Sequence, residues 1–88
     1  MVEKTATIRN RLGLHARPAA VLVQAAAKFK SQIKVIKDGQ EVDGKSIMGL
    51  MTLAACSGTI LRIVADGPDE TAAIDAITAL IESGFNEE

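Results

Sequence analysis

The sequence predicts an α+β domain in which a four-stranded, mainly antiparallel sheet is covered on one face by three helices. Short segments in which apolar and polar residues alternate predict half-buried strands. Between these segments apolar residues recur at spacings of three and four, which is typical of amphipathic helices. Nearly half of the 88 residues are apolar, so residues 1–88 are expected to form a single domain around one modest core. The predicted order of elements is β-α-β-β-α-β-α.

The amino-terminal segments predict a strand followed by a helix. Val2, Ala6 and Ile8 share one parity while the residues between them are polar, as in a half-buried strand. From Pro18 to about Lys30 the period becomes helical, and the alanines keep helix propensity high. The apolar stripe of this helix consists of Leu22, Ala25, Ala26 and Phe29.

The next two strands are predicted to form a hairpin. Residues 32–37 alternate as a strand, and residues 40–43 form a short returning strand. Asp38 and Gly39 lie between them, and this dipeptide is a strong signal for a tight hairpin turn because glycine adopts positive φ without a steric penalty.

A second helix is predicted over the segment "IMGLMTLAA", directly after Ser46. Serine is a preferred N-cap residue, and as a cap Ser46 is expected to contribute about 1 kcal/mol. Gly49 weakens this helix by about 1 kcal/mol relative to alanine.

The carboxy-terminal segments predict one more strand and a final helix. Residues 59–66 form a strongly apolar strand. The helix that follows has Pro68 in its first turn, Asp69 and Glu70 near the positive end of its dipole, and Gly84 as its C-cap. Its buried stripe consists of Ile74, Ile77 and Ile81.

The composition argues against several classes of protein. The net charge is -1, the basic residues are scattered, and Phe29 and Phe85 are the only aromatic residues, which is unlike a nucleic-acid-binding surface. Cys56 is the only cysteine, so an internal disulfide or a cysteine-based metal site is excluded. We expect its thiol to be buried and inert.

The amino terminus lacks the apolar segment of a secretory signal, and no apolar run approaches the ~20 residues that span a bilayer. These features predict a cytoplasmic protein without direct membrane insertion.

The segment "GLHARPAA", residues 13–20, holds the only histidine. Proline is tolerated within the first helical turn, so Pro18 predicts a helix that begins at about Ala16 with His15 at or beside the N-cap. The amides of Ala16 and Arg17 then lack helical acceptors, and together with the helix dipole and the guanidinium they could bind an anion beside the imidazole. A neutral ring nitrogen could attack phosphorus, so the segment is interpreted as a phosphoryl acceptor.

An alternative is that His15 is an ordinary polar residue at a helix start and Arg17 a solvated charge. The residues alone leave both interpretations open. Metal binding lacks support because there is no second histidine and the single cysteine is distant in sequence. A serine-hydrolase arrangement lacks an acid placed to orient the imidazole.

Ser46 is both a predicted cap and a candidate phosphorylation site, since a phosphate at a helix N-terminus would meet free amides. The apolar residues Ile47, Met48, Leu50 and Met51 cannot all face inward from one short helix. Some of them are expected to form an exposed patch suited to docking partners, and the alternative is ordinary core packing.

These two segments together, at this spacing and in a chain of this length, closely resemble the HPr family, the histidine-containing phosphocarriers of the bacterial phosphoenolpyruvate-dependent sugar phosphotransferase system. "GLHARPA" is similar to the active-site motif of the family, and "KSIMGLMTL" to its regulatory-serine segment. The resemblance covers essentially the whole chain and implies an open-faced β-sandwich of four antiparallel strands and three helices.

The resemblance implies that His15 takes a phosphoryl group from phospho-Enzyme I on Nδ1 and passes it to the sugar-specific A components. Arg17 and the backbone amide of Ala16 would steady the phosphate, and Ser46 would be the target of HPr kinase/phosphorylase. The docking surface for these partners would consist of Ile47, Met48, Met51 and Ala20. The implied protein is a monomeric carrier, not an enzyme in the ordinary sense, and uses no cofactor or metal.

Three positions depart from common forms of the family. Gln24 and Ala27 stand where many members carry basic residues, which weakens the expected steering toward acidic partners. Ala54 stands where a glycine often follows the second helix, so the end of that helix is expected to differ.

Other functions stay open at the level of sequence. A paralogous carrier in a nitrogen-related regulatory chain would share these motifs, although the intact Ser46 segment favours carbon regulation. A small acylphosphatase-like hydrolase would share the α+β pattern and would turn over acyl phosphate without a partner. A binding module with an idle histidine would keep its function after His15→Ala.

Overall fold

The order of helices and strands in the computed structural model, which describes residues 1–86, is the predicted β-α-β-β-α-β-α. A single turn of 3-10 helix follows the last α-helix. The elements are β1 (Val2–Thr7), α1 (Ala16–Ala26), β2 (Gln32–Lys37), β3 (Gln40–Asp43), α2 (Ile47–Thr52), β4 (Ile60–Asp66), α3 (Glu70–Glu82) and the 3-10 turn Gly84–Asn86.

The four strands form one sheet in the order β1-β4-β2-β3, and each neighbouring pair is antiparallel. Ala6 pairs with Leu61 and Val35 pairs with Ile63, so apolar residues from different strands share one face. The predicted α+β fold class is therefore confirmed, and the sheet is wholly antiparallel over the pairs described.

The core lies between this face of the sheet and the helices. Each α-helix contributes fully buried aliphatic side chains to a single cluster, which contains Leu22 and Ala26 from α1, Leu50 from α2, and Ile74, Ile77 and Ile81 from α3. The opposite face of the sheet carries ion pairs between strands, from Arg62 to Glu3 and from Lys34 to Glu41. All three helices thus cover one face, as predicted.

Local turn and cap signals are confirmed. Asp38 and Gly39 have φ of 50° and 83°, which are the two positive values that a tight hairpin turn requires. Ser46 is the N-cap of α2, as predicted. The C-cap of α3 is Ser83, one residue before the predicted Gly84, which follows it with φ of 75° as the left-handed residue that ends many helices.

Helix α1 ends at Ala26, four residues earlier than the predicted end near Lys30. The cause is distant in sequence. The amides of Lys30 and Ser31 donate to the carboxylate of Asp69 at 2.9 Å each, and the Ser31 hydroxyl donates to it as well. These bonds, with that of the Ser31 hydroxyl the strongest influence, lower the pKa of Asp69 to about 2. The chain must leave the helix to reach Asp69, so Phe29 is only partly buried.

Two predicted boundaries at the last strand and helix also shift. Pro68 precedes the N-cap residue Asp69 and so lies outside the first turn of α3, because Asp69 is turned toward Ser31. Strand β4 begins at Ile60, one residue after the predicted Thr59, whose hydroxyl accepts a hydrogen bond from the amide of Cys56 in the preceding turn.

The prediction of a buried thiol is wrong. Cys56 is exposed because it lies in the turn that connects α2 to β4, which is closed by a bond from the Thr59 amide to the Cys56 carbonyl. The backbone of this turn, and not the thiol, packs against the rest of the molecule at Gly13.

Candidate functional site

A backbone contact at Gly13 positions the loop that precedes α1. Gly13 has φ of 75°, and a Cβ there would lie 2.4 Å from the carbonyl oxygen of Ala55. The next amide, that of Leu14, donates to the same carbonyl at 2.8 Å. Only glycine combines this conformation with so close an approach, and the contact holds the loop against the segment that follows α2.

Residues 10–13 of this loop form a closed β-turn. The Gly13 amide donates to the Asn10 carbonyl at 3.2 Å, and the Asn10 side chain donates to the Gly13 carbonyl at 2.6 Å. Asn10 is buried, whereas Arg11 and Leu12 occupy the two corner positions and are exposed. The turn therefore presents these two side chains on a well-defined backbone.

His15 is the N-cap residue of α1, as the sequence predicts. Its backbone is extended, and its carbonyl accepts the first intrahelical bond, from Ala19 at 3.0 Å. The imidazole makes no capping bond to its own helix. The amides of Ala16 and Arg17 precede the ladder and have no intrahelical acceptor, and both residues are exposed.

His15 and Arg17 line one open cleft of about 480 Å³. Arg11 lines the same cleft, and the full lining consists of Arg11, Leu12, His15, Arg17, Pro18, Val21, Phe85 and Asn86. Within residues 1–86 no carboxylate lines this cleft. Two guanidinium groups, two amides and the positive end of the helix dipole surround a partly exposed imidazole, so the cleft can hold a small anion next to a nucleophilic nitrogen.

The two nitrogens of the imidazole are not equivalent. Nε2 of His15 is buried, although the residue as a whole keeps part of its surface exposed. Any reagent that approaches from the cleft must therefore reach the ring by its other side.

Sequence reasoning missed five of the residues that line the cleft: Arg11, Leu12, Val21, Phe85 and Asn86. Asn10 and Gly13 stand three residues apart, and this turn signal could have placed Arg11 and Leu12 at exposed corners. Phe85 and Asn86 reach the cleft through a left-handed turn with φ of 58° and 61°, for which the sequence carries no local signal apart from Gly84.

Ser46 lies at the N-terminus of α2, where its hydroxyl oxygen accepts a hydrogen bond from the Gly49 amide at 3.0 Å. The residue is half-buried. A Cβ at Gly49 would lie 3.3 Å from this hydroxyl and from Val42, so a larger residue there would crowd both.

The residues that follow Ser46 divide as predicted. Leu50 is fully buried, whereas Ile47, Met48 and Met51 are exposed by 41%, 79% and 45%. Ala20, on α1, is half-buried and does not line the cleft. Ile47, Met48 and Met51 therefore form an exposed apolar patch on α2.

Helices α1 and α2 pack against each other in opposite directions. At one end Leu14 bonds to Ala55, and at the other the Lys45 ammonium donates to the carbonyl of Phe29 at 2.8 Å. Ser46 therefore lies beside the far end of α1, and with 11 residues in that helix its distance from His15 is on the order of 16 Å.

Residues 1–86 form neither a candidate metal site nor a helix that could span a membrane. No three of their histidine, cysteine, aspartate or glutamate side chains come together in a way that could hold a metal ion. None of their helices has the length and apolar character needed to cross a membrane.

A family model described as "PTS HPr component phosphorylation site" matches residues 2–83. The chain belongs to the HPr family. The phosphocarrier protein HPr of Treponema pallidum (strain Nichols) is 51% identical over 88 residues, which cover all of both chains. This membership confirms the resemblance inferred from the two motifs and makes the chain a phosphocarrier of the HPr type.

Solved structures of the HPr family agree with the fold. The crystal structure of HPr-C-His from Thermoanaerobacter tengcongensis has a TM-score of 0.95 and 53% identity, covering 100% of this chain and 99% of that one. The crystal structure of the Bacillus subtilis catabolite repression protein Crh has a TM-score of 0.78 and 43% identity, covering 96% and 97%. That Crh is described as an intertwined dimer with a swapping domain.

Proposed function

We propose that this HPr-family chain accepts a phosphoryl group on His15 from phospho-Enzyme I and passes it to sugar-specific A components. The observation that carries the proposal is the cleft that the partly exposed His15 and Arg17 line together at the start of α1. The exposed amides of Ala16 and Arg17 lie beside it, and no carboxylate within residues 1–86 competes for them.

The transfer proceeds by attack of a ring nitrogen lone pair on phosphorus. A bond forms between this nitrogen and phosphorus while the bond from phosphorus to the donor atom breaks, and its electron pair stays with the donor. We assign the attacking atom to Nδ1, because Nε2 is buried. Such a transfer passes through a loose transition state and depends mainly on positioning and charge stabilisation, which Arg17 and the amides supply.

The direct test is incubation with phosphoenolpyruvate and Enzyme I, followed by intact mass spectrometry. One phosphate is expected, labile in acid and stable in base, and NMR of the phosphorylated ring should place it on Nδ1. His15→Ala should take up none. Because His15 is the only histidine, an acid-labile phosphate on this variant, or none on the unaltered chain, contradicts the proposal.

The second part of the proposal is regulation at Ser46 by HPr kinase/phosphorylase. Its place at a helix N-terminus, half-exposed, supports addition of a phosphate without loss of the fold. A phosphate there is too far from His15 to touch the ring, so it would act on partners that dock across α2. Kinase and ATP should add one acid-stable phosphate, absent in Ser46→Ala. Modification of the Ser46→Ala variant at the same level would remove this assignment and leave the carrier role intact.

The third part concerns the docking surface, for which Ile47, Met48, Met51 and Ala20 are proposed. The exposed side chains of Ile47, Met48 and Met51 on α2, with the half-buried Ala20 on the packed helix α1, support a surface that several partners share. Met48→Asp should raise the KM for phospho-Enzyme I by about tenfold with little change in kcat, because it places a charge in an apolar contact. An unchanged KM would exclude Met48 from the surface.

The sugar branch is favoured over the nitrogen-related branch by the intact Ser46 segment. In this setting the chain acts as a monomeric cytoplasmic carrier that is phosphorylated and dephosphorylated stoichiometrically and has no turnover of its own. Transfer from the phosphorylated chain to purified A components of each branch, compared at equal concentrations, identifies the acceptor. Preferential transfer to a nitrogen-branch acceptor would reassign the chain.

A further inference from the structure

We propose that Arg11 is a second cation of the phosphoryl site, which contacts the phosphate on His15 together with Arg17. The inference rests on the proposed carrier function and adds a residue that the active-site motif does not include. Arg11 lies two residues before that motif begins, and the fold brings it to the same cleft.

The backbone of Arg11 is held in place although its side chain is exposed. The turn of residues 10–13 is closed by the two hydrogen bonds between Asn10 and Gly13, and Gly13 is in turn packed against Ala55. The turn fixes the point from which the Arg11 side chain leaves the backbone, and the cleft that this side chain lines is the one that holds His15 and Arg17.

The charges around the cleft indicate an anion. The neighbouring Arg9 is neutralised by Glu82 at 2.9 Å, and Arg62 on the opposite face of the sheet is paired with Glu3 at 3.3 Å. Within residues 1–86, neither Arg11 nor Arg17 forms an ion pair with a carboxylate. Two like charges that face one cleft repel each other, and a phosphoryl dianion between them would remove this repulsion and attract both.

A cation that contacts the phosphate can be distinguished from one that only docks a partner. The equilibrium constant for phosphoryl transfer depends on the free donor and the free carrier, with and without phosphate. A residue that acts only in the complex changes the forward and reverse rates equally and leaves this constant unchanged. A residue that contacts the phosphate in the free carrier changes the constant itself.

The experiment measures this equilibrium constant. The carrier is incubated with catalytic Enzyme I at several ratios of phosphoenolpyruvate to pyruvate, and intact mass spectrometry gives the phosphorylated fraction. For Arg11→Gln we expect the constant to fall by about three- to tenfold at low salt, the range for two charges that interact across about 6 Å of screened solvent. The difference should shrink to below about twofold at 1 M salt.

Two variants serve as controls. Arg62→Gln removes the same charge from the opposite face of the sheet and should change the constant by less than about twofold. Arg11→Lys retains the charge, so its equilibrium constant should be close to that of the unaltered chain. A purely structural role of the arginine side chain would not predict this recovery.

If the Arg11→Gln variant had the same equilibrium constant for phosphoryl transfer as the unaltered chain, the inference would be overturned, whatever happens to the transfer rates. A fall of equal size in Arg62→Gln would overturn it too, because the effect would then reflect net charge alone. If the unaltered chain took up no phosphate on His15, the carrier function itself would fail. This failure can be told apart from failure of the inference, in which the unaltered chain takes up phosphate and Arg11→Gln has the same equilibrium constant.

Discussion

The first turns of α1 and α2 both have backbone amides that lack intrahelical acceptors, but the two helices satisfy these amides differently. Ser46 accepts a hydrogen bond from the amide of Gly49 and so satisfies the beginning of its own helix. His15 makes no such bond to α1, and the amides of the exposed residues Ala16 and Arg17 have no intrahelical acceptor. One helix start is closed by its own side chain, whereas the other is open to an external anion.

The start of α3 extends the comparison. Asp69 is the N-cap residue there but makes no side-chain cap bond, because its carboxylate is occupied by Lys30 and Ser31. The three N-cap side chains thus differ in what they do. Ser46 caps its helix, Asp69 joins two parts of the fold, and His15 lines an open cleft. A polar residue at a helix start has a function that only its surroundings decide.

The largest expected effect tests whether the open start depends on its guanidinium. Arg17→Ala should slow transfer from phospho-Enzyme I by about 100-fold, the usual loss when a group that stabilises transition-state charge is removed. Rapid-quench kinetics measures the rate, and Arg62→Ala, with a paired arginine on the other face, should keep it within about twofold. Equal rates in the two variants would mean that the cleft needs no guanidinium at this position.

At the start of α2, substitution of the cap residue Ser46 should change the free energy of unfolding. Ser46→Ala is expected to lower the free energy of unfolding by about 1 kcal/mol, because the Gly49 amide loses its acceptor. Ser46→Asp should keep most of that stability, since aspartate is also a good N-cap. Urea unfolding measures both, with Ser57→Ala in an exposed turn as the control. A Ser46→Ala variant as stable as the control would show that the cap contributes nothing.

A smaller effect is expected at the other end of α2, which supports the loop that carries His15. Ala54 has φ of 51°, a left-handed conformation that strains alanine but not glycine. Ala54→Gly should therefore raise the free energy of unfolding by about 0.5–1 kcal/mol. Ala27→Gly is a matched substitution at the end of α1, where φ is -65°, and should lower the free energy of unfolding by a similar amount. The same sign in both variants would rule out backbone strain at Ala54.

The last expected effect is confined to acid and concerns the third helix start. The pKa of Asp69 falls to about 2 in the folded chain from 3.8, so its contribution to stability is present above pH 3.8 and is lost as the pH falls toward 2. The difference in urea midpoint between the unaltered chain and Asp69→Asn should be constant from pH 7 to about pH 4.5 and should disappear near pH 2. A difference that persists undiminished at pH 2 would mean that the charge of Asp69 is not what stabilises the connection.

Much of the fold was predictable because its signals are local. The alternation in β2, the Asp38–Gly39 turn and the Ser46 cap each depend on residues a few positions apart, and each lies where the sequence predicts it. The errors share a different cause. The early end of α1 depends on Asp69, which is about forty residues away, and the exposure of Cys56 depends on a turn packed against Gly13.

The site was predicted in part for the same reason. The motif around His15 contains the nucleophile, Arg17 and the helix start, and these are sequence neighbours. Arg11, Phe85 and Asn86 reach the cleft from a β-turn before α1 and from the left-handed turn after α3. Side chains that meet across such turns carry no periodic signal, so their proximity appears only in three dimensions.

The sequence by itself determined the order of strands and helices, the cap at Ser46 and the start of α1 at His15, because hydrophobic periodicity, turn residues and helix capping act over a few neighbouring positions. Tertiary structure alone decided that α1 stops at Ala26 and that α2 lies antiparallel to α1 with Ser46 far from the ring. It also decided that Arg11 and Arg17, neither of which pairs with a carboxylate of residues 1–86, line the same cleft as His15. Those features depend on which distant segments pack together, and that is set by the burial of the shared core.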